Sequence, residues 1–306
     1  MENKYLIPYF DGGNKIKINS STLSDLSSCP RKTFYKTVMG FVAPPTQAMS
    51  FGTLIHKIME HIYSISPAER KAINPELLVC KTAEDLRFDE TDDLRTRKTA
   101  IKIIENYLKT FSSDNFRVYM LNDKPAIEVD FEFPLATVGD IGIVYCGRID
   151  MIIQNVETKE LMIMDHKTSR SIGKEFISRW NPNHQLTGYV MAASFLTGMP
   201  VRYALINGLQ VAKTLQQVCR VTAERTTEDF DEFTETVCQQ VENWMSSYKK
   251  FSKTNDGACF PMSGGMTCSA FGGCQYLEAC SSRQSVRGLV LEQIKQKQEQ
   301  QTDETV

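Results

Sequence analysis

From Phe51 to Tyr63 the apolar residues Phe51, Leu54, Ile55, Ile58, Met59 and Ile62 recur three and four apart, which predicts a helix with one buried face. Residues 66 to 112 continue the helical period with breaks at Pro67 and Pro75, and Leu94, Ile101, Ile104 and Leu108 form the later stripe. Upstream, Ser20, Ser21 and Thr22 predict the cap of a short helix carrying Leu23 and Leu26, and Pro30 the start of a second that stops at Gly40. The period then changes. Ile127, Val129, Phe131 and Phe133 alternate with Glu128, Asp130 and Glu132 as in a half-buried strand. Segments 141 to 153 and 160 to 167 predict two more strands joined as a hairpin, and 201 to 209 a fourth. Helices are expected from Asn181 to about Leu196 and from Thr227 to Phe251, the second with a core stripe of Phe230, Phe233, Val237, Val241, Trp244, Met245 and Tyr248. Beyond Leu291, Gln, Glu, Lys and Thr predominate and a frayed tail is expected.

Composition narrows the function classes. With 306 residues, 42% hydrophobic, the chain can bury a sizeable core, and no repeat of solenoid length is present. Thirty-five basic residues against 37 acidic exclude a globally basic nucleic-acid coat, so any DNA contact must be local. Neither a membrane-length apolar run nor a basic-then-apolar leader is found, so the expectation is a cytoplasmic protein without membrane contact. Nine cysteines then point to reduced thiols or metal ligands rather than a disulfide framework.

The strongest chemical signal interrupts the apolar hairpin. GRIDMII supplies Asp150, and IMDHKTS supplies Asp165 and Lys167. A turn centred between Glu157 and Thr158 sets Asp150 directly opposite Asp165, with Cβ atoms about 5 Å apart, and Lys167 on the same face as Asp165. Carboxylates that close repel unless they share a cation, and hard oxygen ligands favour Mg2+ or Mn2+. Lys167 then orients a water or stabilises charge on a phosphorane. An exposed acidic sheet face neutralised by a lysine fits the same letters, so companions matter. His56 lies at the margin of the helical stripe, where a histidine is ordinarily a packed core residue. Gln185 and Tyr189, four apart, share a helix face that could hold a phosphate and stack a base or sugar, though both are ordinary packing choices too.

Together GTLIHKIME, GRIDMII, IMDHKTS and HQLTGYVMA resemble the PD-(D/E)XK nuclease superfamily in its RecB-like branch, over about residues 20 to 280. The resemblance implies an α/β restriction-endonuclease-like core with a mixed central sheet. It implies that His56, Asp150, Asp165 and the backbone carbonyl of His166 hold the metal, that Lys167 is the catalytic lysine, and that Gln185 and Tyr189 contact the DNA backbone. The proline of the family motif is missing near Asp150.

Cys268, Cys274 and Cys280, with five residues between successive members, sit among Gly264, Gly265, Gly272 and Gly273 in a segment with little material for a core. Thiolates at such spacing suit an iron-sulfur cluster or zinc, with Cys29 of SSCPRKTFY as candidate fourth ligand and Cys259 as an alternative. The layout is similar to AddB and the CRISPR-adaptation nucleases, whose 4Fe-4S cluster clasps the ends of the nuclease domain. Cys80, Cys146, Cys219 and Cys238 are expected to be small buried hydrophobes. Arg31 and Lys32, with Lys36, present either a basic patch for a DNA strand or a solvated helix face.

The expected organisation is therefore N-terminal helices over 1–63, a helical insertion over 64–115, a nuclease core over 116–255, a cysteine clasp over 256–285 and a disordered tail over 286–306. The expected function is Mg2+- or Mn2+-dependent hydrolysis of DNA, exonucleolytic, on single strands or DNA ends, in recombination, repair or phage DNA metabolism. No G-x-x-x-x-G-K-[ST] loop occurs, so the chain would act on free ends or with a helicase or recombinase partner. The competing readings are a catalytically silent DNA-binding or interaction subunit and an endonuclease.

Overall fold

The computed structural model describes residues 6–8, 14–41, 45–269 and 273–303; Gly272 of the cysteine segment lies outside them. The chain forms two compact units, one of Met1–Pro44, Pro134–Tyr145 and Thr234–Val306, the other of Pro45–Phe133 and Cys146–Phe233.

The first unit opens with strands β1 (Leu6–Pro8) and β2 (Asn14–Ile18), followed by helices α1 (Ser20–Ser28) and α2 (Pro30–Thr37). Asn19, one residue ahead of the expected serines, caps α1 by accepting from the Thr22 N–H. Strand β2 runs parallel to residues 141–145, pairing Asn14 with Ile141 through Ile18 with Tyr145.

The second unit contains α3 (Gln47–Ser64), α4 (Pro67–Arg70), α5 (Pro75–Asp85) and α6 (Arg97–Thr110), then strands β3 (Phe116–Val118), β4 (Met120–Leu121), β5 (Lys124–Pro125) and β6 (Ile127–Val138). Strands β7 (Ile141–Asn155) and β8 (Leu161–Ser169), helices α7 (Lys174–Ser178) and α8 (His184–Thr197), and strands β9 (Tyr203–Gln210) and β10 (Val218–Glu224) follow. Strands β6 and β7 each continue across the boundary between the units. The sheet order is β7-β8-β9-β10, with β8 and β9 parallel and the other two pairings antiparallel, a mixed sheet. The parallel step is made possible by α7 and α8, which supply the crossover that two parallel strands require.

The stripe of α3 is buried as the spacing predicts. Leu54, Ile55, Ile58, Met59 and Ile62 pack with Val79, Ile103, Ile104, Met151, Met164 and Leu205 in one core. On α6 the buried line is Ala100, Ile103, Ile104 and Tyr107, which shares Ile104 with the expected stripe, while Ile101 and Leu108, with Leu94 ahead of the helix, pack half-buried against the core. A tyrosine and an alanine can hold the centre of an apolar face as well as leucine, which shifted the apparent axis of the stripe.

The remaining helices are α9 (Thr227–Thr254), α10 (Met266–Ser269), α11 (Leu277–Ser281) and α12 (Arg287–Asp303). Helix α12 occupies the stretch where a frayed tail was expected, because Gln, Glu, Lys and Leu are strong helix formers even without an apolar stripe. The cysteine segment also has more core than its glycines suggest. Phe260 and Tyr276 are wholly buried. Phe260 stacks on Phe34 at 4.5 Å and lies 4.7 Å from Trp244, while Tyr276 packs on Tyr35 at 5.2 Å and its hydroxyl donates to the Phe41 carbonyl. Among the described residues no helix is long and apolar enough to cross a membrane.

Truncating Phe260 removes the centre of this aromatic cluster. Phe260→Ala should cost about 3–5 kcal/mol in urea unfolding, and a loss under about 1 kcal/mol would mean the cluster does not hold the segment.

Candidate active site

The site is built where β7 and β8 part. Their antiparallel ladder pairs Met151 with Met164 and Gln154 with Leu161 and goes no further, which is the register that sets Asp150 opposite Asp165. Past that point the backbone N–H of His166 donates to Asp150 Oδ2 at 2.8 Å instead of to a strand partner. The carbonyl of the same residue accepts from His56 Nε2 at 2.8 Å, and His56 Nδ1 lies 3.3 Å from Asp150 Oδ2. An imidazole carried on α3 thus spans a carboxylate and a peptide oxygen. Burial works against its charge, but the hydrogen bond and the charge of Asp150 raise the His56 pKa above its ordinary value.

Asp165 is 1% exposed. Its Oδ2 lies 2.6 Å from Lys167 Nζ, and its Oδ1 has no hydrogen-bond partner. The two acids are driven apart electrically. For Asp150, burial is overcome by His56, with His166 and Lys167 adding, and the carboxyl is held well below the usual range. For Asp165, burial raises the pKa, the Lys167 charge opposes this and the Asp150 charge adds to it. Burial also works to neutralise Lys167, but Asp165 and Asp150 outweigh it and the lysine stays an ammonium.

Sequence reasoning missed Glu128. It was placed among the outward residues of an alternating strand, yet its backbone has φ of 49°, a left-handed conformation uncommon for a residue with a side chain. The kink breaks the alternation and turns the carboxyl inward. One ligand atom each of His56, Glu128 and Asp150 lie within 4.8 Å of one another. Burial and the nearby Asp150 charge raise the Glu128 pKa. Arg148, which chelates Asp130 at 2.7 and 3.0 Å, stands 3.8 Å from Glu128 Oε2. No pattern of letters signals a positive φ at glutamate. The donor set, three carboxylates, an imidazole and a peptide carbonyl with one buried carboxylate oxygen unpartnered, fits a hard divalent cation.

Gln185 and Tyr189 share a face of α8, and Gln185 Nε2 donates to the Tyr189 hydroxyl at 3.2 Å. The tyrosine ring is buried against Phe131, centroids 5.6 Å apart, over Gly147, where even a Cβ would sit 3.4 Å from the ring. A ring so enclosed has no open face for a base or sugar, so the stacking expectation is corrected, while the half-buried Gln185 amide stays near the surface.

Of the expected basic patch, Arg31 alone turns inward. Arg31 is 4% exposed, and its Nε donates to the Phe260 carbonyl at 2.7 Å, tying α2 to the cysteine segment. Lys32 and Lys36 clamp the buried Asp25 at 2.7 and 2.8 Å, and they hold its carboxyl low against the opposing effect of burial. One carboxylate offsets only one of the two charges, and both lysine side chains remain 37% exposed. Cys29, Cys268, Cys274 and Cys280 line one cavity of about 470 Å³ together with Lys32 and Tyr276, and Cys259 does not line it. Among the described residues no three cysteines bring their sulfurs within 4.8 Å of each other. All nine cysteines are half-buried, so Cys80, Cys146, Cys219 and Cys238 are less enclosed than expected.

A profile of the PD-(D/E)XK nuclease superfamily matches residues 17–281. No curated protein matches the chain. Among solved structures, a protein of Eubacterium rectale given as a candidate exonuclease is 14% identical, covering 75% of this chain and 80% of its own, with a TM-score of 0.48. The alkaline exonuclease LHK-Exo of Laribacter hongkongensis is 12% identical, covering 67% of this chain and 96% of its own at a TM-score of 0.32. The same LHK-Exo in complex with dAMP aligns at 10% identity over 66% and 91% of the two chains, with a TM-score of 0.32.

The buried His166 imidazole yields a pH prediction. Burial is the main reason its pKa is pushed down to about 3, whereas in an unfolded chain it titrates at about 6.5. Between those values the unfolded state binds a proton that the folded state refuses, so this group makes stability fall as pH drops from about 6.5 toward 3. His56 has the opposite sign: its raised pKa adds stability below its unfolded value, lost as pH rises through the folded one. In urea titrations between about pH 6 and 4, His166→Gln should show a shallower acid loss than the parent chain. Equal slopes would show that His166 is not held neutral.

Proposed function

The chain belongs to the PD-(D/E)XK nuclease superfamily, and on that footing we propose that it is a divalent-metal-dependent deoxyribonuclease that digests DNA from its ends. One observation carries the reading: the buried Asp165 carboxylate, salt-bridged to Lys167 at 2.6 Å with Oδ1 left without a partner, on the strand position opposite Asp150. His56, Asp150, Asp165 and the His166 carbonyl would hold Mg2+ or Mn2+, with Glu128 as a further oxygen donor. When bound, such an ion polarises the scissile phosphate and acidifies a water. Lys167, kept as an ammonium by two carboxylates, cannot take a proton. It orients the attacking water and lends positive charge to the phosphoryl oxygens as the new P–O bond forms and the ester bond breaks. Gln185, half-buried at the start of α8, would bind a backbone phosphate. The RecB-like order of the motifs supports free ends as the substrate.

We further infer that Cys29, Cys268, Cys274 and Cys280 hold a 4Fe-4S cluster. Four soft donors around one cavity support it. A single zinc ion, with Zn–S bonds of about 2.3 Å, would draw the sulfurs closer than they lie. When bound, the cluster would join the two sequence-distant ends of the first unit beside its aromatic core.

With Mg2+ or Mn2+ the chain should degrade linear DNA and spare covalently closed circles, and cutting of circles would identify an endonuclease. Asp165→Ala and Lys167→Ala should each lower cleavage by at least about 10²- to 10³-fold without changing circular dichroism; near-parental cleavage by either would refute the site. Anaerobically purified protein should be brown with broad visible absorption that Cys274→Ser diminishes. Colourless protein with no bound iron would refute the cluster.

A further inference from the structure

Behind the metal-binding edge lies a buried polar network that the mechanism above does not use. The His166 side chain points to the opposite face of β8 from Asp165 and Lys167. There its Nδ1 meets Asn207 Nδ2 at 3.0 Å, and Asn207 is its partner in the parallel β8–β9 register. Asn207 is wholly buried. Its amide also donates to the Tyr107 hydroxyl at 3.0 Å, and its Oδ1 accepts from Arg220 Nε at 2.9 Å. Arg220 in turn is held by Asp114 at 2.5 and 3.3 Å and by the Tyr63 and Tyr107 hydroxyls at 3.1 and 3.0 Å, with its guanidinium 3.7 Å from the centre of the Phe111 ring.

The donors and acceptors leave one solution. A guanidinium N–H can only donate, so the asparagine atom facing Arg220 must be the oxygen. The amide nitrogen therefore faces His166 and donates to Nδ1. His166 must then carry its proton on Nε2, a buried atom that has no hydrogen-bond partner of its own. The ring so oriented stands edge-on to His56, centroids 5.9 Å apart at 90°, and 6.1 Å from the Tyr63 ring on the same helix. Its own peptide binds Asp150 through N–H and His56 through C=O. One residue thus couples the network to both sides of the metal-binding edge.

We infer that Asn207, oriented by Arg220, is a positioning residue for the metal site: it fixes the tautomer and rotation of the His166 ring, and with them the peptide of His166 and the stance of His56. The inference rests on the metal reading of the site. A network of this size has no obvious stability advantage over apolar packing, whereas groups standing behind metal ligands commonly tune affinity.

Asn207→Asp tests it in the full-length chain. The variant keeps the volume and the acceptor for Arg220 but cannot donate to Nδ1, so it should move the His166 proton to Nδ1. Histidine 15N NMR reads this directly, with Nε2–H expected in the parent. Mn2+ affinity, measured without DNA by calorimetry, should fall about 10- to 100-fold, and kcat should fall with KM for DNA unmoved. Arg220→Lys, which keeps the charge beside Asp114 but frees the amide to turn over, should give mixed tautomers and a smaller loss; it carries the test if Asn207→Asp does not fold. An Nδ1–H tautomer in the parent, or a moved proton with unchanged Mn2+ affinity, overturns the inference. Because tautomer and Mn2+ binding are read without cleavage, a chain that binds Mn2+ and cuts nothing would sink the nuclease reading and leave this one standing.

Discussion

The hydrogen bond from the His166 backbone N–H to Asp150 is the constraint on which the site depends. A sheet ladder that continued past Met151 and Met164 would satisfy that donor with a carbonyl, and Asp150 would be an ordinary side chain on a strand. Because the strands part, the carboxylate replaces the ladder partner and is drawn into the gap. The peptide of His166 is thereby turned so that its carbonyl meets His56. Asp165 and Lys167, one residue to either side, are placed by the same stretch of backbone. The parallel pairing of His166 with Asn207 holds the other edge of β8, so the strand does not drift toward the gap.

Electrostatics then gives each acid a different character. Asp150 has a backbone donor and an imidazole beside it and is held ionised. Asp165 has a lysine on one oxygen and nothing on the other, and burial pushes its carboxyl the opposite way. Leaving a buried carboxylate oxygen unsatisfied costs stability, and such a cost is tolerated where function requires the atom. Glu128 adds a second sign of the same kind, since a left-handed backbone at a non-glycine residue costs about 1–3 kcal/mol and clusters at functional sites. Strain, burial and a missing partner converge on one group of oxygens.

How much of this could be read in the letters varies with the physics involved. The register of the β7–β8 hairpin was legible, because a short polar turn between two apolar strands leaves little freedom in the pairing. So was the α3 helix with His56 on its margin. Glu128 was not legible, because alternation describes regular strands and says nothing about where one kinks. Arg31 and Tyr189 misled because residue type does not fix burial: the Arg31 guanidinium turned inward to the Phe260 carbonyl, and the Tyr189 ring packed against Phe131. The network of Asn207, Arg220 and Asp114 joins residues that lie far apart along the chain, and no local pattern announces it.

The central claim is that His56, Asp150, Asp165 and the His166 carbonyl converge on one divalent ion, and anomalous diffraction from crystals soaked in Mn2+ tests it most directly. The account predicts a manganese peak bonded to those four groups at about 2.0–2.2 Å, with His56 Nε2 released from the carbonyl. A peak bonded elsewhere, or His56 still donating to His166 at full Mn2+ occupancy, would contradict it.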